Sequence, residues 1–208
     1  MSITLLHPAY FGAISNYVSL VQASEVIFEN EDNYQKQTYR NRMYIYGANG
    51  KLLLNIPIKH SKSEQHQKYK DVKIENDFQW QKVHWKSLET AYRTSPFFEY
   101  YEDEFAQLFE KKQTYLLDFN YQCMEAVWEC LQLEQKYTKT TTYNKVVAEA
   151  NDHRVLINCK AQQFEHFTPY TQVFESKAGF IPNLSILDVL FNEGTNALTY
   201  LEEQKLVG

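Results

Sequence analysis

The hydrophobic pattern at the start of the chain predicts a strand, a helix and a second strand. Ile3 to Leu6 form a short apolar run that a proline soon ends. Ile14, Tyr17, Val18 and Val21 follow at the spacing of one helix face. Val26 to Phe28 are β-branched or aromatic, as in a strand. These segments together predict a βαβ unit with two parallel strands.

The carboxyl ends of the two parallel strands should open on one edge of the sheet, where open α/β sheets bind ligands. The polar and aromatic residues expected to meet there are His7, Pro8, Tyr10, Glu31, Asp32 and Asn33.

Further along the chain, the pattern predicts a β-hairpin over residues 42–58, turning at Asn49-Gly50. Short strands are expected at residues 72–75 and 155–157, with a strand fragment at 173–174. Three helices should follow the hairpin, and their apolar stripes begin at Trp80, Phe97 and Leu117. Asn76 with Gln79, and Ser95 with Pro96, have the spacing of helix starts.

The last part of the chain predicts helices. Asn183 is expected to cap an apolar helix that ends at Gly194, and Thr195 to cap a last short one. Ser185, in the first turn, is expected to act in local capping. The fold class is therefore α/β: an N-terminal βαβ unit plus a β-hairpin in a mixed sheet, a three-helix excursion across about residues 77–134 and a C-terminal helical segment. We expect a single domain over residues 1–208.

Composition and charge exclude several classes of protein. The 208 residues carry a formal net charge of −5, which argues against a nucleic-acid binder. No apolar run approaches the roughly 20 residues of a transmembrane helix, and residues 1–8 lack a signal-peptide pattern. Cys123, Cys130 and Cys159 have neither disulfide-framework nor zinc-site spacing. We therefore expect a cytoplasmic protein with reduced thiols, no membrane insertion and no metal site.

Residues 36–42 are the most suggestive stretch for ligand binding. If this stretch is extended, Lys36, Thr38, Arg40 and Arg42 share one face. Guanidinium groups suit phosphate or carboxylate, so the face is either an anion site or a charged edge strand. In the first case, Arg40→Ala should weaken ligand binding and leave the melting temperature nearly unchanged.

Histidines supply the candidate bases. His7 lies at the predicted ligand edge, where an imidazole can act as a general base. His84 lies on an apolar helix stripe, so it is either a base or a hydrogen-bonded core residue. Asp188 points either to solvent or into a cleft. His60 and His66 fall in a basic stretch, Lys59 to Lys70, which is either a solvated loop or a lid over an anionic substrate.

Four groups of residues together resemble the WbqC-like family of bacterial proteins, in the same order and spacing over nearly the whole chain. The matching segments are HPAYFG (7–12), KQTYRNR (36–42), WQKVHW with SPFFEYY (80–85 and 95–101), and GFIPNLSILD with NEG (179–188 and 192–194). Other members often carry glutamine where this chain has His7. The resemblance implies an association with O-antigen and related surface-polysaccharide gene sets.

The resemblance, together with the residues above, leads to two hypotheses. The first is a cytoplasmic transferase that acts on an activated, nucleotide-linked sugar, by acyl or aminoacyl transfer; no cofactor is indicated. Its catalytic candidates are His7 and His84 with Asp188 as orienter, and its substrate-binding candidates are Tyr10, Asn33, Lys36, Arg40, Asn41, Arg42, Trp85 and Asn183. The second is a non-catalytic module that binds a glycan or a partner, with a homodimer left open. An enzyme requires the four groups of residues to converge on one concave pocket.

Overall fold

A computed structural model describes residues 2–59, 66–134, 136–160 and 166–206 of the chain. The strands are β1 (Ile3–Leu6), β2 (Glu25–Phe28), β3 (Arg42–Gly47), β4 (Gly50–Asn55), β5 (Tyr137–Lys139) and β6 (Asn151–Asp152). The α-helices are α1 (Ile14–Val21), α2 (Trp80–Tyr92), α3 (Phe98–Ala106), α4 (Leu116–Cys130), α5 (Glu175–Ala178), α6 (Ile186–Glu193) and α7 (Ala197–Glu203). The predicted α/β class is confirmed.

The first sheet has four strands in the order β5-β2-β1-β6, and each neighbouring pair is parallel. The predicted βαβ unit forms its centre, with Ile3 opposite Glu25 and Leu6 opposite Phe28. Strands β5 and β6 were not predicted. The carboxyl ends of all four strands consequently lie on one edge of the sheet.

The predicted hairpin is confirmed, and it forms a two-stranded sheet of its own instead of joining a mixed sheet. The pairing runs from Arg42 opposite Asn55 to Gly47 opposite Gly50. Gly50 has a φ of 99°, which a residue with a side chain rarely adopts.

The three-helix excursion is also confirmed, as α2, α3 and α4. The prediction that Asn76 and Ser95 are the N-caps of the first two helices is wrong, because Gln79 and Phe97 hold those positions. Asn76 does not cap α2, because its side-chain amide donates to the carbonyl oxygen of Gln113 at 2.8 Å. Ser95 does not cap α3, because its hydroxyl donates to the carbonyl oxygen of Tyr92 at 2.7 Å and so closes α2.

Two helix starts near the C-terminus also differ from the prediction. Ser185, not Asn183, is the N-cap of α6, and its hydroxyl oxygen accepts a hydrogen bond from the amide of Leu187. Asn196, not Thr195, precedes α7. Gly194 ends α6 with a φ of 56°, as expected.

Three predicted strands are not strands. Residues 155–157 belong to a 3₁₀-helix, Arg154–Ile157. Residues 173–174 are irregular, and residues 72–75 form only isolated bridges, at Lys73 and Ile74.

The segment between β1 and α1 is buried and held by the chain that precedes α6. The amide of Ile14 donates to the carbonyl oxygen of Leu184, and the amide of Ile186 donates to that of Gly12, both at 2.9 Å. The hydroxyl of Ser185 donates to the carbonyl oxygen of Phe11 at 2.7 Å. This contact fixes the chain that leaves β1, and therefore the position of His7 at the sheet edge.

The helices in the described ranges lack the combination of length and apolar character that crossing a membrane demands. Cys123 is buried, Cys130 and Cys159 are half-buried, and all three are free thiols.

Candidate functional site

A cavity of about 260 Å³ opens at the carboxyl edge of the parallel sheet. Most of its walls come from the segments that leave β1, β2 and β6, and from the chain between β2 and β3. The lining residues are His7, Asp32, Gln35, Arg40, Tyr143, Asp152, Arg154, Val155, Ile157 and Asn158. We call it the edge cavity. Ligand sites of open α/β sheets lie at this edge.

His7, Asp32 and Arg40 form one hydrogen-bonded cluster in the edge cavity. Nη2 of Arg40 donates to Oδ2 of Asp32 at 2.7 Å and lies 3.1 Å from Nε2 of His7. The same imidazole nitrogen is 3.3 Å from Oδ2 of Asp32. Nη2 of Arg40 also lies 3.5 Å from Nδ1 of His7, so the guanidinium, which only donates, faces the imidazole ring. The prediction that His7 and Asp32 meet at the sheet edge is confirmed.

The surroundings of His7 keep its imidazole neutral. Burial lowers the pKa of His7 well below its usual value, and the guanidinium groups of Arg40 and Arg154 lower it further. A hydrogen bond to the backbone of Glu29 opposes this shift. The side chain is 3% exposed, and His7 lines the cavity.

Arg154 and Asp152, which also line the edge cavity, belong to a second ion-pair cluster. Arg154 donates to Asp152 through Nε at 2.8 Å and Nη2 at 2.6 Å, and its Nη1 lies 3.4 Å from Oε2 of Glu29. Its guanidinium lies 5.2 Å from the ring centre of Tyr143. The hydroxyl of Thr140 donates to Glu29 at 2.8 Å. Both guanidinium groups of the cavity are therefore paired with carboxylates.

Arg40 nevertheless retains unused donors. It is fully buried, and its Nε and Nη1 atoms have no hydrogen-bond partner among the described residues. Burial lowers the pKa of Arg40, while neighbouring Tyr69 and Asp32 raise it. A polar ligand that reached these two atoms would satisfy buried donors that are otherwise unpaired.

The expected common face of Lys36, Thr38, Arg40 and Arg42 does not exist. Gln37 has a φ of 62°, which breaks the extended geometry on which that prediction depended. Arg40 lines the edge cavity, whereas Lys36, Asn41 and Arg42 line a separate groove of about 510 Å³.

We call this second hollow the cationic groove. The residues that line it are Tyr34, Lys36, Gln37, Asn41, Arg42, Asn55, Ile56, Pro57, Ile58, Lys59, Glu75 and Phe78. Residues 34–42 lie between the groove and the edge cavity: Gln35 and Arg40 line the edge cavity, and five other residues of the segment line the groove.

His84 and Tyr10 pair with each other inside the core. The hydroxyl oxygen of Tyr10 and Nδ1 of His84 are 2.9 Å apart, and both side chains are buried. Burial lowers the pKa of His84 to about 4. These two predicted site residues line neither the edge cavity nor the cationic groove.

Asp188 is buried in a third place and does not orient His84. Its carboxylate accepts hydrogen bonds from the hydroxyls of Tyr92 and Tyr170 and from the side-chain amide of Gln172. Burial raises the pKa of Asp188, against the effect of these donors. The arrangement ties α2 and the chain at residues 170–172 to α6.

The remaining predicted binding residues lie elsewhere. Asn183 is buried with a φ of 54°, and its Oδ1 accepts a hydrogen bond from the amide of Ser15 at 2.9 Å. Trp85 stacks on Phe98. Asn33 follows Asp32 and pairs through its backbone with Lys68. The stretch from Lys59 to Lys70, for which a lid was one of two expectations, lies partly outside the described residues. His60 lies outside them, and His66 is exposed.

Comparison with known proteins agrees with the resemblance seen in the sequence. The model of the WbqC-like protein family matches residues 8–168 and 157–200. The chain belongs to the WbqC-like family. It is 27% identical over 206 residues to the uncharacterized protein Rv1507c of Mycobacterium tuberculosis (strain ATCC 25618 / H37Rv). The aligned region covers 85% of this chain and 87% of that protein. No solved structure matches it.

The segments that carry the WbqC-like resemblance meet around residues 7–12, which are buried. The amide of Tyr10 donates to the carbonyl oxygen of Tyr39, and its hydroxyl contacts His84. Phe11 and Gly12 accept hydrogen bonds from Ser185 and Ile186. The four segments therefore converge on a buried core segment and not on one concave pocket, so the condition stated above for an enzyme is not met. Of residues 7–12, His7 lines the edge cavity.

The sequence analysis did not predict several residues of the edge cavity, including Asp152, Arg154 and Tyr143. Asp152 and Arg154 flank the end of a two-residue strand, too short to show alternation. A signal was present in the charged triplet Asp152-His153-Arg154, which directly precedes an apolar run. Within the described ranges, no group of three or more His, Cys, Asp or Glu side chains could hold a metal ion.

Proposed function

We propose that this WbqC-like protein is a transferase that acts on an activated, nucleotide-linked sugar in surface-polysaccharide biosynthesis, with the edge cavity as its reaction site and His7 as its general base. The observation that carries the proposal is the neutral His7 ring, held by Arg40 and Asp32 at the carboxyl edge of a parallel sheet. The neutral imidazole carries a nitrogen lone pair that can take a proton from a substrate hydroxyl or amine. Burial and the two guanidinium groups disfavour the imidazolium that forms, and the Asp32 carboxylate, 3.3 Å from Nε2, would favour it.

Acyl transfer to the sugar illustrates the chemistry. The sugar oxygen or nitrogen forms a bond to the carbonyl carbon of an acyl donor, and its proton passes to Nε2 of His7. The bond between that carbon and the leaving group then breaks, and the leaving group departs with the electron pair and takes up the proton. Nε2 lies 3.1 Å from Nη2 of Arg40, so the imidazole must give up this contact before it takes the proton, while Nη2 keeps its ion pair with Asp32.

Arg40 has a second role in this proposal. Its unpaired Nε and Nη1 donors suit the negative charge that develops on the carbonyl oxygen during the transfer. Asp32 keeps the guanidinium in place through the 2.7 Å ion pair. Asp32 is therefore a positioning residue, whereas His7 and Arg40 would touch the reacting atoms.

The test is a product assay on the purified protein. The chain is incubated with acyl-coenzyme A donors and a panel of nucleotide sugars, and mass spectrometry detects a nucleotide sugar that has gained the acyl mass. His7→Gln keeps a polar side chain but cannot accept a proton at neutral pH. We expect it to lose at least about 100-fold in rate.

His66→Gln is the matched control, because His66 is exposed and lies outside the edge cavity. It should keep the wild-type rate. Equal rates of acyl transfer for His7→Gln and wild type would overturn His7 as the base and would place the reaction outside the edge cavity.

The second candidate function is a non-catalytic module that binds a glycan or a partner. It is favoured by one observation: His84, Asp188 and Asn183 all have structural partners in the core. A module of this kind would bind the nucleotide sugar without forming product, and His7→Gln would leave its affinity unchanged.

A further inference from the structure

The cationic groove has a charge balance different from that of the edge cavity. Three cations, Lys36, Arg42 and Lys59, line it with a single carboxylate, Glu75. Lys59 lies 4.0 Å from Glu75. Among the described residues, neither Lys36 nor Arg42 has a carboxylate within ion-pair distance. In the edge cavity, by contrast, each arginine is already paired.

Two residues that line the groove also have side-chain polar atoms without a hydrogen-bond partner among the described residues. Nε of Arg42 and Oδ1 of Asn41 are buried and have no hydrogen-bond partner among the described residues. Asn41 is 6% exposed, and its amide nitrogen is held by Asn55 and by the carbonyl oxygen of Ile56, both at 3.0 Å. The asparagine therefore presents a fixed acceptor, and the arginine a fixed donor.

Aromatic side chains complete the walls. Phe78 is 66% exposed, which is unusual for a large apolar side chain, and Tyr34 is half-buried. Burial raises the pKa of Tyr34 to about 12, and the guanidinium groups of Arg40 and Arg42 oppose that shift. Tyr34 thus lies near both arginines, in the segment that separates the two hollows.

These features define the chemistry of a ligand. Two unpaired cations suit phosphate oxygens, a fixed acceptor suits a sugar hydroxyl, and an exposed aromatic ring suits stacking on a base. A volume of about 510 Å³ is in the range of small-molecule sites.

We propose that the cationic groove is a binding site for a nucleoside diphosphate group, with Lys36 and Arg42 on the phosphates, Asn41 on a hydroxyl and Phe78 on the base. This inference deepens the proposed function, because it assigns the nucleotide of the sugar donor to one side of residues 34–42 and the reaction to the other. Arg40 has no role in this phosphate binding, because it lines the edge cavity and not the groove.

The test is a calorimetric titration of the purified chain with uridine diphosphate, thymidine diphosphate, adenosine diphosphate and inorganic diphosphate. We expect at least one nucleotide to bind, and Lys36→Gln and Arg42→Gln each to weaken it about 10-fold or more. Lys112→Gln removes the same charge at an exposed position outside the groove and should remain within twofold of wild type.

Phe78→Ala separates the base from the phosphates. It should weaken nucleotide binding at least about fivefold and leave the binding of inorganic diphosphate unchanged. Because the Phe78 and Lys36 side chains are exposed, both variants are expected to fold, which their circular dichroism spectra would check.

Three results would overturn the proposal: no binding of any nucleotide, wild-type affinity in both Lys36→Gln and Arg42→Gln, or inorganic diphosphate binding as tightly as every nucleotide. Loss of binding in His7→Gln with full binding in Arg42→Gln would also overturn it, by placing the ligand in the edge cavity. Nucleotide binding that follows the groove variants, without product in the transfer assay, would support the groove and contradict the proposed transferase.

Discussion

At the scale of single residues, the shortest ion pair of the His7 cluster joins Arg40 to Asp32 within a nearly closed environment. The Arg40 side chain is fully buried and Asp32 is largely so. The guanidinium also lies 5.2 Å from the ring centre of Tyr69, and the Arg40 carbonyl oxygen accepts a hydrogen bond from Asn120. The expectation that Arg40→Ala leaves the melting temperature unchanged assumed an Arg40 side chain on an accessible face. Because the side chain is buried, that assumption does not hold.

We therefore expect Arg40→Ala to destabilise the protein. Removing the guanidinium leaves the Asp32 carboxylate without its charge partner, and breaking a buried pair in this way lowers the free energy of unfolding by about 3 kcal/mol. Urea denaturation at pH 7.5 measures the change. Lys36→Ala, an exposed cation four residues earlier, should stay within about 0.5 kcal/mol of wild type. Equal midpoints for the two variants would contradict the burial of Arg40.

The sequence distinguishes polar residues within an apolar pattern but not the surroundings of each side chain. His7, His84 and Asp188 all stood out for that reason. The structure places His7 at a cavity and pairs His84 and Asp188 with buried tyrosines. Those partners lie 74 residues away for His84 and 96 for the Tyr92 bond of Asp188, beyond any local pattern.

At the scale of elements, the longer segments were predictable and the shortest were not. β1, α1 and the stripes of α2 and α4 follow from periodicity. β5 and β6 have three and two residues, so they carry no alternation, and their pairing with β2 and β1 defines them instead. The apolar run at 155–157 folds as part of a 3₁₀-helix, directly after the amide of His153 has bonded the carbonyl oxygen of Leu5.

The turn after α6 provides a test at this scale. Gly194 has a φ of 56°, and a Cβ atom there would overlap the ring of Phe97. Gly194→Ala should therefore destabilise the protein by more than Gly50→Ala, where the backbone φ is also positive but the space is open.

Thermal unfolding of the two glycine variants measures the difference. We expect Gly194→Ala to have the lower melting temperature, with a free-energy difference of about 1–3 kcal/mol. Melting temperatures in the opposite order would show that Phe97 does not pack against this turn.

At the scale of the whole molecule, the N-terminal and C-terminal segments of the family pattern hold each other. The bonds from Ile14, Ser185 and Ile186 join residues 11–14 to 184–186. The family pattern therefore records core contacts as well as the site, and from the sequence alone the two kinds of residue look the same.

Stability should fall in mild acid. His7 and His84 have lowered pKa values in the native state, so the unfolded chain binds protons that the native protein does not as the pH falls below about 6.5. The free energy of unfolding is then highest above pH 6.5 and decreases from there toward pH 5. The raised pKa of Asp188 acts in the opposite sense at low pH.

His84→Gln isolates one of these histidines, since Asp188 and His7 are common to both proteins. Urea denaturation at several pH values should give a slope near pH 5 that is smaller than wild type by about 1 kcal/mol per pH unit. Identical slopes would show that His84 is not held neutral in the native state.

The central claim is that the His7 imidazole stands neutral at the sheet edge. Nitrogen-15 NMR of the imidazole rings from pH 7.5 to pH 5 measures this directly, with the His7 signals assigned from their loss in His7→Gln. We expect the His7 shifts to remain those of a neutral ring down to pH 5.5. A titration centred near 6.5, as in an ordinary histidine, would contradict the account.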